Sequence, residues 1–143
     1  WGEIYEKDEY TDENCLTLDK ETGNICGNLL YDAARYHWGD SWRLPNEEEL
    51  QELNEKCIWE WTSVNGHAGF KVTGPNGNCM FLPLAGEKSY DDEDDSVGEY
   101  WSGTPLDTDE AVYLGFEEGK KPEEGRSSAQ ERAWGKSIRP VSD

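Results

Sequence analysis

Tyr100-Trp101-Ser102-Gly103-Thr104, Ala111-Val112-Tyr113-Leu114-Gly115-Phe116 and Arg132-Ala133-Trp134-Gly135-Lys136-Ser137-Ile138-Arg139-Pro140-Val141 are three runs of one segment, residues 100–141, and their alternation decides the fold. In the middle run Val112, Leu114 and Phe116 fall on one face of an extended chain, and Tyr113, Gly115 and Glu117 on the other, because strand side chains alternate at period two. The first face predicts a core and the second an outward surface. In the closing run Ile138 and Pro140 alternate with Ser137, Arg139 and Val141, and the stretch before it is too polar to be buried. Residues 100–141 are therefore expected to form a rigid sheet that displays a surface.

Upstream, Cys79 to Leu84 is nearly all apolar and predicts a strand buried on both faces. Ile58 to Val64 and Gly69 to Thr73 alternate around Asn65-Gly66 and predict a hairpin. Before them, Asn46 with Glu49 three residues on is a capping box. Leu50, Leu53 and Cys57 then make one apolar stripe, so a helix is predicted over 46–56. Leu30, Ala33, Ala34, Tyr36, His37 and Trp38 predict a shorter helix over 30–38, stopped by Gly39. Ser41 to Leu44 is extended because Pro45 follows. Residues 11–28 read as a polar loop, 88–98 as an exposed acidic loop, and Trp1 to Tyr10 as a strand cut from its partner. The class is α+β: two helices around a small twisted sheet, mixed or antiparallel, with long loops.

At 143 residues the length suits a single domain, 1–143, and seven Trp, seven Tyr and three Phe supply an aromatic-rich core. The formal charge of −19 repels phosphate backbones and anionic surfaces, so nucleic acid is excluded as a partner. No run of about 18 apolar residues exists, so direct membrane insertion is not expected. Cys15, Cys26, Cys57 and Cys79 lack zinc or redox spacing and point to an oxidised, extracytoplasmic protein. Three pairings are open, and chain order favours Cys15–Cys26 with Cys57–Cys79. His37 and His67 have no nucleophile partner in a recognisable motif, and His37 reads as a packing residue. Asp91, Asp92, Asp94 and Asp95 are the weak candidate for calcium, set against the simpler reading of a solvated charge run. No cofactor is expected.

Tyr31-Asp32-Ala33-Ala34-Arg35, Trp38-Gly39 and Trp42-Arg43-Leu44-Pro45 before an acidic helix resemble the Fibrobacter succinogenes major paralogous domain family of Bacteroides-type surface proteins. Cys57 to Trp61, Phe70 to Asn78, Phe81-Leu82-Pro83, Tyr100-Trp101-Ser102 and Arg132 to Val141 follow that family's pattern in its order. The family's usual strand before Trp1-Gly2 is missing, which leaves one edge of the sheet open, and a chain that begins at Trp1 without a Met reads as the C-terminal part of a longer surface protein. The resemblance implies a C-type-lectin-like fold, similar to the variable proteins of diversity-generating retroelements. In those relatives, substitutable positions lie in the segment resembling 100–141. By that likeness Thr104, Asp107, Asp109, Tyr113, Gly115, Glu117, Ala133, Trp134 and Lys136 would line the ligand-binding surface. Tyr113 and Trp134 would be its anchors, and Asp107, Asp109, Glu117 and Lys136 its rim. The sugar-binding signatures of calcium-dependent lectins are absent. The expected function is non-enzymatic recognition of an extracellular protein or glycan, at a bacterial cell surface or secreted. The alternatives are a structural or adhesin-tip module and a carbohydrate-active enzyme. Oligomeric state and ligand identity are not legible.

Overall fold

The computed structural model describes residues 1–39, 41–90, 92–123, 125 and 127–143. They form two helices and several small antiparallel sheets, an α+β arrangement. The helices are α1 (Ala33–Trp38) and α2 (Glu47–Lys56). The strands are β1 (Trp42–Arg43), β2 (Ile58–Val64), β3 (His67–Thr73), β4 (Cys79–Pro83), β5 (Glu87–Ser89), β6 (Asp92–Asp94), β7 (Val97–Pro105), β8 (Glu110–Glu117), β9 (Ser128–Glu131), β10 (Gly135–Lys136) and β11 (Val141–Ser142). Sheets β2-β3-β4 and β7-β8-β9 are the larger ones; β10-β5-β6 and the pair β1-β11 complete the set. No helix is long and apolar enough to cross a membrane among the described residues.

α2 begins as its sequence dictates. Asn46 Oδ1 accepts from the Glu49 amide at 2.8 Å, and Glu49 Oε2 accepts from the Asn46 amide at 2.9 Å. α1 starts three residues later than 30–38 requires, because the Asp32 side chain caps it by accepting from the Arg35 amide, and residues 28–31 turn before it. Leu30 is 70 % exposed, so its helical spacing had no core behind it. The β2–β3 turn is Asn65-Gly66, both at positive φ (51° and 83°), the geometry of a two-residue hairpin.

Two apolar clusters share β7 and β8. Leu50, Phe70, Val72, Leu82, Tyr100, Leu114 and Phe116 form the first, with Phe70 edge-to-face against Trp59, Trp61 and Phe116. Trp1, Ile25, Leu44, Trp101 and Ala111 form the second, with Tyr113, Trp134 and Ile138 packed on it. The predicted alternation of β8 holds, since Val112, Leu114 and Phe116 are buried. Its other face is not simply outward: Tyr113 is half-buried on the second cluster.

Four expectations fail for tertiary reasons. β4 has only Leu82 buried, because it is the edge of its sheet and its alternate residues face away from the core. Of the described residues in 88–98, Lys88, Tyr90 and 92–96 are exposed, but the stretch is not a loop: Lys88 pairs with Glu93 across a β5–β6 hairpin. The closing run is not one strand. β10 pairs with β5, Ser137 bridges Tyr100 in parallel, and β11 pairs with β1. Trp1 to Tyr10 contains no strand; Trp1 is buried instead, its Nε1 donating to the Ser102 carbonyl at 2.7 Å, and Tyr10 makes one bridge to Tyr90.

Neither expected disulfide is formed in the structure. Ile58 and Cys79 both pair with Thr73 from opposite sides, which sets them two strand spacings apart, about 9.6 Å. A disulfide tolerates at most about 7 Å between Cα atoms, so Cys57, next to Ile58, is out of reach. Cys15 Sγ lies 3.9 Å from Thr17 Oγ1, whereas Cys26 packs against the backbone of Gly103. Buried Thr17 and Ile25 anchor loop 11–28 in place of a bridge.

Candidate functional site

Five strands each bring one polar or charged group to a single point. β10 carries Lys136, whose side chain is wholly buried. Its Nζ donates to Glu87 Oε2 of β5 at 2.7 Å, to Gln130 Oε1 of β9 at 3.0 Å, and to the Glu99 carboxylate of β7. Three rings surround the ammonium: Tyr113 of β8 at 4.4 Å, Trp101 at 5.3 Å and Trp134 at 5.4 Å from the ring centres. Such faces attract a cation through the ring quadrupole.

Two glycines let the strands close on this point. A Cβ on Gly135 would stand 2.7 Å from the Tyr10 ring, and one on Gly115 would stand 2.7 Å from Tyr113 Cε2. Burial, together with a hydrogen bond to Glu87, pushes the Glu99 carboxyl up to about 7, although Lys136 pulls the other way. Burial likewise raises the Tyr113 hydroxyl, with Glu99 and Glu87 adding to it.

Beside the cluster opens a cleft of about 380 Å³. Trp1, Tyr10, Tyr31, Trp101 and Trp134 wall it, and Glu3, Glu6, Glu87, Lys88, Asp95 and His37 add charged or polar edges, acidic on balance. Aromatic walls that bury a ligand, with polar groups that orient it, are the make-up of a binding cleft. A second hollow, of about 500 Å³, lies between Glu99, Tyr113, Gly115, Glu117, Pro122 and Ser128.

Of the nine residues that the resemblance assigned to a display surface, the fold brings Tyr113, Trp134 and Lys136 together. Gly115 lets β8 close on that point, and the other five fall elsewhere. Thr104 Oγ1 accepts from the Glu47 amide at 3.0 Å and so tethers the start of α2. Asp107 organises the β7–β8 turn, accepting from the Asp109 and Glu110 amides, which holds its carboxyl low. Asp109 is exposed at the same turn. Gly115 and Glu117 border the second hollow, Glu117 pairing with Lys120 at 3.0 Å. Two assignments are corrected. Ala133 is 1 % exposed and cannot be displayed, and Lys136 is no rim residue, because its ammonium is already enclosed.

His37 is exposed, with Nε2 2.5 Å from the Ile4 carbonyl and its ring edge-on to Tyr5 and Tyr36. His67 is exposed at the hairpin. Of the calcium candidates, Asp91 lies outside the described residues. Asp92 and Asp95 are exposed, and Asp94 accepts from Ser96. Among the described residues no three His, Cys, Asp or Glu side chains are grouped to hold a metal ion.

Glu87, Glu99, Trp101 and Trp1 escaped the sequence reading. Glu99 alone left a signal, a carboxylate inside the otherwise uncharged run Val97–Pro105. Scans of this chain against protein-family models, curated proteins and solved structures return no match.

Proposed function

We propose that this protein is a non-enzymatic recognition module of C-type-lectin-like fold, related to the paralogous surface-domain family that its motifs resemble. It would act outside the cell and take an extracellular protein or glycan in the Trp1–Tyr31–Trp134 cleft. The cleft is the observation that carries the reading: about 380 Å³ with aromatic walls and a polar, mostly acidic border. Aromatic faces supply large contact area at little conformational cost, which suits an anchor for a side chain or a sugar ring.

A second reading, a structural or adhesin-type module without a selectable ligand, has one observation in its favour. Thr104, Ala133 and Lys136 are engaged in holding the fold together. Binding of a glycan array and of host surface proteins, compared for the parent and Trp134→Ala, separates the two. Saturable binding that Trp134→Ala weakens supports recognition. No saturable binding on either panel supports the structural module.

A further inference from the structure

Lys136 has no exposed side-chain surface, and the Glu99 and Glu87 side chains are 11 % and 16 % exposed. A primary amine therefore touches a carboxyl group inside a compartment closed by Trp101, Tyr113 and Trp134. In water, amine and acid do not condense, because both charges are well solvated. Burial removes that solvation from the carboxyl and raises Glu99 toward its acid form. The fold also holds the two groups in van der Waals contact, so their encounter costs no further entropy. We propose that Lys136 and Glu99 condense to an internal amide that covalently joins β10 to β7, with Glu87 carrying the protons.

The step balances without a co-reactant. The Lys136 ammonium passes one proton to the Glu99–Glu87 carboxyl pair, leaving a neutral amine facing a carboxylic acid. The Nζ electron pair then forms a bond to Glu99 Cδ. The C–OH bond breaks, and the departing oxygen takes a second proton from Nζ through Glu87, leaving as one water. Glu87 ends as it began. Its carboxyl is suited to this role, because it accepts from Nζ at 2.7 Å and is hydrogen-bonded to Glu99. The Glu99 carboxyl, raised to about 7, is part-protonated at neutral pH, and the acid is the form that loses water. Gln130 Oε1 also accepts from Nζ at 3.0 Å, but attack there would release ammonia instead. The amide would close a loop across a sequence separation of 37 residues, pinning the two-residue strand β10 that walls the cleft. This inference does not rest on the cleft having a ligand.

The test is the intact mass of the purified full chain, reduced and denatured after overnight incubation at pH 7. The expected mass is one water below that of the sequence, with fragment spectra joining a Lys136 peptide to a Glu99 peptide. Lys136→Met and Glu99→Ala should each restore the full sequence mass, and Glu87→Gln should leave the chain mostly unlinked. The full sequence mass in the parent protein overturns the proposal. So does a deficit of one ammonia, or a link mapped to any other pair.

Discussion

The Arg132 guanidinium lies over the indole of Trp1, 4.6 Å from the ring centre, and binds main-chain carbonyls rather than a carboxylate. Its nitrogens donate to Thr17 O at 2.8 Å, Lys20 O at 3.1 Å, Thr22 Oγ1 at 2.7 Å and Asp107 O. One side chain, 1 % exposed, thus ties loop 11–28 to the β7–β8 turn. Arg132→Ala is expected to lower stability by about 3 kcal/mol or more, since several buried carbonyls lose their donor together. Arg132→Lys should recover less than half of that, as a point charge cannot reproduce the fork. Urea denaturation midpoints check both, and a near-wild-type midpoint for the alanine variant would sink this account.

The second prediction concerns acid. Arg43 holds Glu49 with paired contacts of 2.8 Å, and Glu49 also closes the α2 capping box. The Arg43 hydrogen bonds keep the Glu49 carboxyl below its ordinary value, and burial opposes them more weakly. A depressed folded-state pKa adds stability above the unfolded value, near 4.5, and that stability is lost as pH falls through the folded value. Glu49→Gln should therefore cost stability at pH 7 and almost none at pH 2 to 3. Equal losses at both would show that the charge is irrelevant.

The third prediction separates the core from the cleft. Phe116 stacks in the first cluster, and Phe116→Ala is expected to cost about 3 to 5 kcal/mol of stability. Trp134 lines the cleft and packs only partly on the second cluster. Trp134→Ala should weaken binding of a ligand found by array by about 2 kcal/mol, with a smaller loss of stability than Phe116→Ala. Thermal melts and calorimetry on the same pair of variants read both quantities. The reverse ranking would place the recognition surface elsewhere.

The fourth prediction is redox silence. With Cys57 and Cys79 across an intervening strand, and Cys15 and Cys26 in separate surroundings, reductant should leave the melting temperature unchanged. Four thiols should titrate in denaturant without reductant. In the native protein Cys79, exposed at the start of β4, should react first, since burial raises the Cys26 and Cys57 thiols above their ordinary value. Fewer than four thiols in the oxidised, denatured chain would reinstate a bridge.

What the sequence determined by itself lies within a few residues along the chain. The Asn46–Glu49 cap, the Asn65-Gly66 turn, the Gly39 stop and the period-two face of Val112, Leu114 and Phe116 each follow from local backbone geometry, and each is present. Tertiary structure decided the rest, because burial depends on partners distant in sequence. Cys79 to Leu84 looks like a central strand until β3 takes one edge and nothing described takes the other. Leu30 looks like helix core until Asp32 caps the helix behind it. Lys136 looks like a rim charge until Glu99 and Glu87, 37 and 49 residues earlier, meet its ammonium among three rings. A lone lysine in a polar, aromatic run carries no mark of that enclosure. The enclosure exists only because five strands converge, and their convergence buries the lysine and raises the carboxyl of its glutamate.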